Sequence, residues 1–201
     1  MGNVTLMEKL TQQMVNDATG SRAWDLGNET LYELCRKHPE HTDEQAIIAK
    51  VWLIGRSYAA AIERRKPNAN ETFEGGNFYT DNVVTKILKS PIDKWFSDLK
   101  DLKGADEQTM GAILNVHCEL TNLFEKISGL ENRSLVSKYL HFHFRHLFFI
   151  YDARAVSALR GISSGIARGT YADIHADGEY RNSARDACAR VISLKKNTVP
   201  G

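Results

Sequence analysis

Apolar residues recur at helical spacing in two long segments, and this periodicity constrains the fold more than any other feature of the sequence. Residues 43 to 65 have one such face, and Thr42 or Asp43 can cap its start. A helix from about Asp106 to Ser128 has another, and Gly129 follows it as a glycine that ends a helix. The apolar positions are Ile47, Ile48, Val51, Trp52, Ile54, Tyr58, Ala61 and Ile62 in the first segment, and Met110, Ile113, Leu114, His117, Leu120, Phe124 and Ile127 in the second.

Shorter helices are predicted between and after these two. One runs from about Asp81 to Leu88 and stops near Ser90-Pro91, and the next covers Ile92 to Leu99. Asn132 or Ser134 can start a further helix that continues through Leu140. A short helix begins near Asp152, and the last one covers Tyr180 to Leu194. The segment from His141 to Arg145 alternates like a strand, but no second strand segment of comparable strength is present, so we interpret it as a helix end followed by an extended connector.

The expected fold class is therefore all-α, with residues 1–201 forming one compact domain. The polar stretch KPNANETFEGGN can separate an N-terminal helical part, residues 1–66, from a second part, residues 77–201.

Composition narrows the class of protein. The chain has 201 residues, 42% hydrophobic and 25% charged, with a net charge of +1, which is typical of a soluble globular protein. Three widely spaced cysteines without a CxxC pair indicate free thiols in a reducing compartment. The N-terminus does not have the pattern of a signal peptide, and no apolar run approaches the roughly 20 residues that span a bilayer. We expect a cytoplasmic protein with no membrane association and no obligate protein partner.

Positive charge is concentrated in one region of this nearly neutral chain. Between Gly129 and Gly169 there are six Lys and Arg residues and two acids, Glu131 and Asp152, an excess of four positive charges. The same region has a distinct order: a helix, the tight turn ISGLE, a second helix, an aromatic connector, and an acid in FFIYDARAV. Helix N-termini next to such a turn can bind phosphate, so this region is the candidate contact with nucleic acid.

In this order and spacing, residues 106 to 165 resemble the helix-hairpin-helix DNA glycosylase superfamily. The hairpin corresponds to residues 127–131, and Asp152 follows Gly129 by 23 residues, which is similar to the oxoguanine branch. The resemblance implies a helical DNA glycosylase, an enzyme that flips a base out of double-stranded DNA and hydrolyses its N-glycosidic bond. It implies no cofactor, and no cluster in the sequence has the spacing of a zinc or iron–sulfur site.

The resemblance also assigns roles to residues of this chain. Asp152 would stabilise the sugar cation and position water. Arg133 and Lys138 would lie at the catalytic cleft or contact phosphate. Bifunctional members have a lysine where this chain has Arg133, so the resemblance implies a monofunctional enzyme, with a lyase role for Lys138 as the alternative. The expected DNA contacts are Gly129, Leu130, Asn132, Ser134, His143 and Arg154, and candidates for the pocket or wedge aromatics are Trp24, Trp52, Tyr58, Phe78 and Tyr79.

Other interpretations remain open. Asp152 is also a good helix N-cap. Glu131 stands where the family has a second glycine, which favours a catalytically inactive DNA-binding protein. Arg168 and His175 have the loose spacing of the helical HEPN ribonucleases. His141, His143 and His146 do not share a helical face, so we expect packing, hydrogen bonding or phosphate contact rather than a metal site. The excised base would be an oxidised purine or a hypermodified phage base removed in antiviral defence.

Overall fold

The structure is a computed structural model that describes Gln13, Asn16 and residues 23–64, 77–106 and 108–153. The described residues form helices, turns and connectors without a strand, so the prediction of an all-α fold is confirmed. None of the helices in this part of the chain combines the length and hydrophobicity needed to cross a bilayer. The predicted helix Tyr180–Leu194, and with it Arg154, Arg168 and His175, lies outside the described residues.

The chain divides into two compact units. One is Glu29–Ile150, and the other comprises Met1–Asn28 together with Tyr151–Gly201. The first unit includes residues on both sides of the stretch 65–76. The described residues of the second unit are Gln13, Asn16, 23–28 and 151–153.

Six α-helices and two shorter helical segments are described. A 3₁₀ helix, Ile62–Arg64, follows the second α-helix, and a π-helical segment, Tyr79–Val84, leads directly into the third. The α-helices are α1, Ala23–Lys37; α2, Glu44–Ser57; α3, Thr85–Leu88; α4, Ile92–Ser97; α5, Met110–Ser128; and α6, Arg133–His143.

The core of Glu29–Ile150 is formed mainly by α2, α5 and α6. Their apolar faces are almost completely buried against one another, as the helical periodicity predicts. Residues that represent this core are Ile47, Val51, Ile54, Ile113, Leu120, Phe124, Leu135, Val136, Tyr139 and Leu140.

Helix α2 begins as predicted but ends earlier. The carboxylate of Asp43 accepts a hydrogen bond from the Ala46 amide at 2.6 Å, which caps the helix. The predicted end at residue 65 is wrong, because the chain turns at Ala59, which has a left-handed φ of 52°. The returning chain passes so close to Gly55 that a Cβ on this glycine would lie 3.1 Å from the Ala61 Cα. Gly55 thus permits a turn that helical periodicity alone does not reveal.

Two helix starts also differ from the predictions, and α1 was not predicted as a separate helix within the N-terminal helical part. The segment predicted as a helix from Asp81 is π-helical as far as Val84. Helix α5 begins at Met110 rather than near Asp106, because the Asp106 carboxylate accepts hydrogen bonds from the Gln108 and Thr109 amides, both at 2.9 Å, and forms a turn instead. After α6 the chain continues through a turn and a non-helical connector, as expected.

A buried histidine joins three separate parts of the chain. His41 lies between α1 and α2, and its Nδ1 is 2.6 Å from the Asp93 carboxylate on α4. Its Nε2 is 2.8 Å from the Tyr139 hydroxyl on α6. Burial lowers the pKa of His41 to about 4, so the ring is neutral at pH 7. Nδ1–H therefore donates to Asp93, and Nε2 accepts from the Tyr139 hydroxyl.

Lys50 on α2 also contacts the connection between α1 and α2, in which His41 lies. Its side chain is completely buried, and its ammonium donates to the carbonyl oxygens of His38 and Glu40 at 2.9 and 3.0 Å. Burial lowers the pKa of Lys50 to about 8. A charged amine that contacts two carbonyls holds the α1–α2 connection against α2.

We predict that acid destabilises the protein through its buried histidines. Burial lowers the pKa of His41 and of His117 to about 4 from an ordinary 6.5, so the folded state favours their neutral forms. Their stabilising contribution is complete above pH 6.5 and is lost as the pH falls through 4. The free energy of unfolding should fall by on the order of a few kcal/mol across this window. Urea titrations followed by circular dichroism at pH 7.5, 6.5, 5 and 4 measure it, and a constant value from pH 6.5 to 4 would contradict this prediction.

Candidate functional site

The turn between α5 and α6 brings together most of the predicted DNA-contacting residues. Gly129 ends α5 in the left-handed conformation, with φ 78°, and its amide donates to the Glu125 carbonyl at 2.7 Å. Asn132 precedes α6 and is also left-handed, with φ 46°. These two left-handed residues, separated by two others, make a tight turn between α5 and α6, here called the hairpin turn, and the two helices pack against each other.

Hydrogen bonds from the Ser128 and Asn132 side chains stabilise this turn. The Ser128 hydroxyl donates to the Phe124 carbonyl at 2.9 Å and accepts from the Leu130 amide at 3.3 Å. The Asn132 side-chain amide donates to the Ser128 hydroxyl and, at 2.9 Å, to the Leu130 carbonyl. Because the Asn132 side chain points back into the turn, it makes no capping hydrogen bond to the start of α6. Asn132 therefore stabilises the turn itself and does not cap α6.

The charges at the turn are partly compensated. Arg133 forms an ion pair with Glu131, with 3.0 Å between the guanidinium and the carboxylate, and both side chains are only partly exposed. Lys86 brings a further cation, since its ammonium donates to the Lys126 carbonyl in the last turn of α5 at 2.7 Å. Lys86 was not predicted from the sequence, because it lies 40 residues before its partner and no local pattern connects the two.

Asp152 belongs to the other unit. It is half-buried, and the next residue, Ala153, is helical, so Asp152 stands at the position expected for an acid that begins a helix. Arg154, the other expected contact in this segment, lies outside the described residues.

Lys138 lies in the interior of its unit rather than in an open cleft. Its side chain is completely buried, and its Nζ donates to the Ser134 hydroxyl at 2.8 Å and to the Ser134 carbonyl at 3.2 Å. The amine also lies 5.6 Å from the centre of the Tyr58 ring, a favourable position for a cation. These contacts satisfy the amine locally.

The imidazole of His143 is surrounded by aromatic side chains. It packs against Phe96, Tyr139 and His41, with ring centres 4.9, 5.0 and 5.5 Å away. Its Nε2 is shielded from solvent, and burial lowers its pKa well below the ordinary value. In this position His143 is neutral and does not present a charge to phosphate.

The other two histidines of the aromatic segment also have specific partners. His141 lies 2.6 Å from the Tyr32 hydroxyl and 2.8 Å from the Phe148 carbonyl. His146 lies 2.9 Å from the Leu102 carbonyl. Within the described ranges, no group of three or more His, Cys, Asp or Glu side chains could hold a metal ion.

The candidate aromatics for a wedge or a base pocket differ in exposure. Trp24 and Trp52 are exposed, by 57% and 43%, and the Arg56 guanidinium lies 5.8 Å from the centre of the Trp52 ring. Tyr58, Phe78 and Tyr79 pack partly against the core. Trp52 is therefore the candidate of Glu29–Ile150 with the most ring surface available to a base.

Comparisons with known proteins assign no relative: no family model, no curated protein and no solved structure matches the chain.

We predict that the left-handed Gly129 is required for hairpin stability. Gly129→Ala should lower the free energy of unfolding by about 1–2 kcal/mol, because a Cβ at φ 78° collides with the backbone. Gly104→Ala is the matched control, since an added Cβ there meets no atom within 4 Å. Chemical unfolding of both variants measures the difference. Equal stabilities would contradict the assigned turn conformation.

Proposed function

We propose that this chain is a monofunctional DNA glycosylase, an enzyme that flips a damaged or modified base from the duplex and hydrolyses its N-glycosidic bond. The observation that supports this best is the tight turn at Gly129 and Asn132, which ends α5 and leads directly into the N-terminus of α6. Backbone amides in such a turn can bind a DNA phosphate without reading sequence. The excess of positive charge in this region favours DNA as the partner.

Asp152 is the proposed catalytic carboxylate. As the base leaves, positive charge develops on the sugar, and a carboxylate facing C1′ stabilises it and orients the attacking water. The half-buried position of Asp152, directly before helical Ala153, suits a carboxylate held in a fixed orientation.

The environment of Lys138 favours hydrolysis over Schiff-base chemistry. A lysine nucleophile must reach the sugar, whereas this amine is buried and donates to Ser134. Arg133 cannot replace it, because a guanidinium remains protonated. The substrate class is an oxidised purine or a hypermodified base, and in the second case the role would be defence against phage.

We expect Asp152→Asn to abolish base excision while DNA binding persists. The amide retains the shape of the side chain but has no charge to stabilise the sugar cation, so the excision rate should fall at least 100-fold. The assay is strand release from labelled duplexes containing oxoguanine, uracil, alkylated purines or glucosylated hydroxymethylcytosine, with and without alkali.

Wild-type breaks that appear only after alkali, and are absent in the variant, would establish a monofunctional glycosylase. Breaks without alkali, or a covalent adduct trapped by borohydride, would contradict the assignment of Lys138. Absence of both excision and DNA binding would contradict the proposed function and would direct attention to RNA cleavage by Arg168 and His175.

A catalytically inactive DNA-binding protein is the second candidate, and the Glu131–Arg133 ion pair favours it. Glu131 places a negative charge beside the amides proposed to contact phosphate, and its carboxylate forms an ion pair with the Arg133 guanidinium. Such a hairpin would bind DNA weakly and without the strict geometry that catalysis requires.

Under either candidate, Glu131→Gln should tighten duplex binding by about three- to tenfold, because it removes a repulsive charge and releases Arg133 to contact phosphate. The salt dependence of binding should become steeper by about one counterion. Glu44→Gln, which makes the same charge change in the first turn of α2, is the matched control. Fluorescence anisotropy at several salt concentrations measures both quantities. Equal gains for the two variants would indicate a general charge effect and would contradict a phosphate contact at the hairpin.

A further inference from the structure

A cleft in Glu29–Ile150 lies apart from the hairpin turn. Its volume is about 440 Å³, within the range of small-molecule sites. Helices α1, α4 and the C-terminal end of α6 provide its walls, together with the connection between α1 and α2. The lining residues are Tyr32, Cys35, Arg36, Pro39, Glu40, Asp93, Phe96, Ser97, Lys100, Phe142, His143 and Phe144.

Rings form much of the cleft. Tyr32 packs against Phe142 with ring centres 4.9 Å apart, and Phe96 meets Phe144 edge to face at 5.1 Å. His143 also borders the cleft, and among the described residues its Nε2 is the buried side-chain polar atom that has no hydrogen-bond partner. Aromatic walls favour a planar ligand that can stack.

One polar group of the cleft has a fixed orientation. The His41 amide donates to both Asp93 oxygens, at 3.1 and 3.0 Å, and the His41 ring donates to Oδ1 at 2.6 Å. Three hydrogen bonds fix the carboxylate, yet its side chain remains 41% exposed. Of roughly four acceptor positions on a carboxylate, one on Oδ2 remains available, so Asp93 can accept one N–H from a ligand.

Two cationic side chains also line the cleft. Arg36 and Lys100 are exposed lining residues, and Arg36 is held by Glu33 at 2.7 Å. Cys35 adds no nucleophile, because burial raises the pKa of its thiol to about 12. The cleft therefore offers three features that a ligand can use. The rings suit a planar base, the oriented Asp93 carboxylate suits an N–H donor, and the exposed cations suit a phosphate.

We propose that this cleft binds an aminopurine nucleotide, with the base between the aromatic side chains, its amino group on Asp93, and its phosphate near Lys100. The nucleotide is either free or part of a single strand. This site does not depend on the proposed excision chemistry, and none of its lining residues belongs to the hairpin turn.

The test is titration of the full chain by calorimetry with adenosine 5′-monophosphate. Three further probes are purine riboside 5′-monophosphate, which lacks the amino group; adenosine, which lacks the phosphate; and a five-residue oligodeoxyadenylate. We expect saturable binding of adenosine 5′-monophosphate, and binding roughly tenfold weaker for each of the two truncated probes. A stronger response to the oligonucleotide than to the mononucleotide would identify a single strand as the source, and the reverse would identify a free nucleotide.

Variants at exposed positions avoid the risk of unfolding that Asp93 carries as a partner of His41. Lys100→Ala should weaken binding roughly tenfold, whereas Lys94→Ala, which lies on α4 and does not line the cleft, should not change it. Ser97→Trp should fill the cleft and abolish binding. No saturable binding of any probe, equal affinity for the probe without the amino group, or binding that survives Ser97→Trp would overturn the proposal.

Discussion

The buried imidazole of His41 is the interaction on which the arrangement of Glu29–Ile150 depends. Its two nitrogens contact Asp93 and Tyr139, which lie 52 and 98 residues away along the chain. Because burial keeps the ring neutral, each nitrogen has one defined role, and both neighbouring helices must present the matching group. If either partner is lost, a polar atom remains unsatisfied in the interior, at a cost of about 1–3 kcal/mol. The network thus fixes where α4 and α6 lie relative to the α1–α2 connection.

Helix α6 connects this network to both proposed sites. Its first residue follows the hairpin turn, Tyr139 in its middle anchors it to His41, and His143 at its end borders the cleft. Lys138 lies beside Tyr139 and is buried as completely. A lysine that neighbours the anchoring tyrosine contributes to packing and local hydrogen bonding.

Features determined by local sequence could be predicted, and those determined by distant contacts could not. The cap at Asp43, the apolar face of α5 and the left-handed Gly129 follow from residue type and spacing within a few positions. The early end of α2 depends on the approach of Ala61 to Gly55, and the polarity of the cleft depends on His41 contacting α4. Helix α1 buries only a narrow stripe that includes Leu31 and Cys35, which is a weak periodic signal in sequence.

The same distinction applies to the candidate site. The turn is a local structure, so a glycine at the end of α5 could be predicted from residue type and spacing, whereas the charge of the turn depends on side chains that contact one another in space. Arg133 appears in the sequence as a cation available to phosphate, but it pairs with Glu131, and Lys86 reaches the end of α5 from another helix. The pair is only partly exposed, and ion pairs that solvent reaches contribute little to stability, typically below about 1 kcal/mol, so a phosphate near Arg133 would compete with Glu131 at small cost. In the proposed function, the pair would therefore weaken DNA binding without preventing it, and the affinity for DNA would depend on how easily Arg133 exchanges one anionic partner for another.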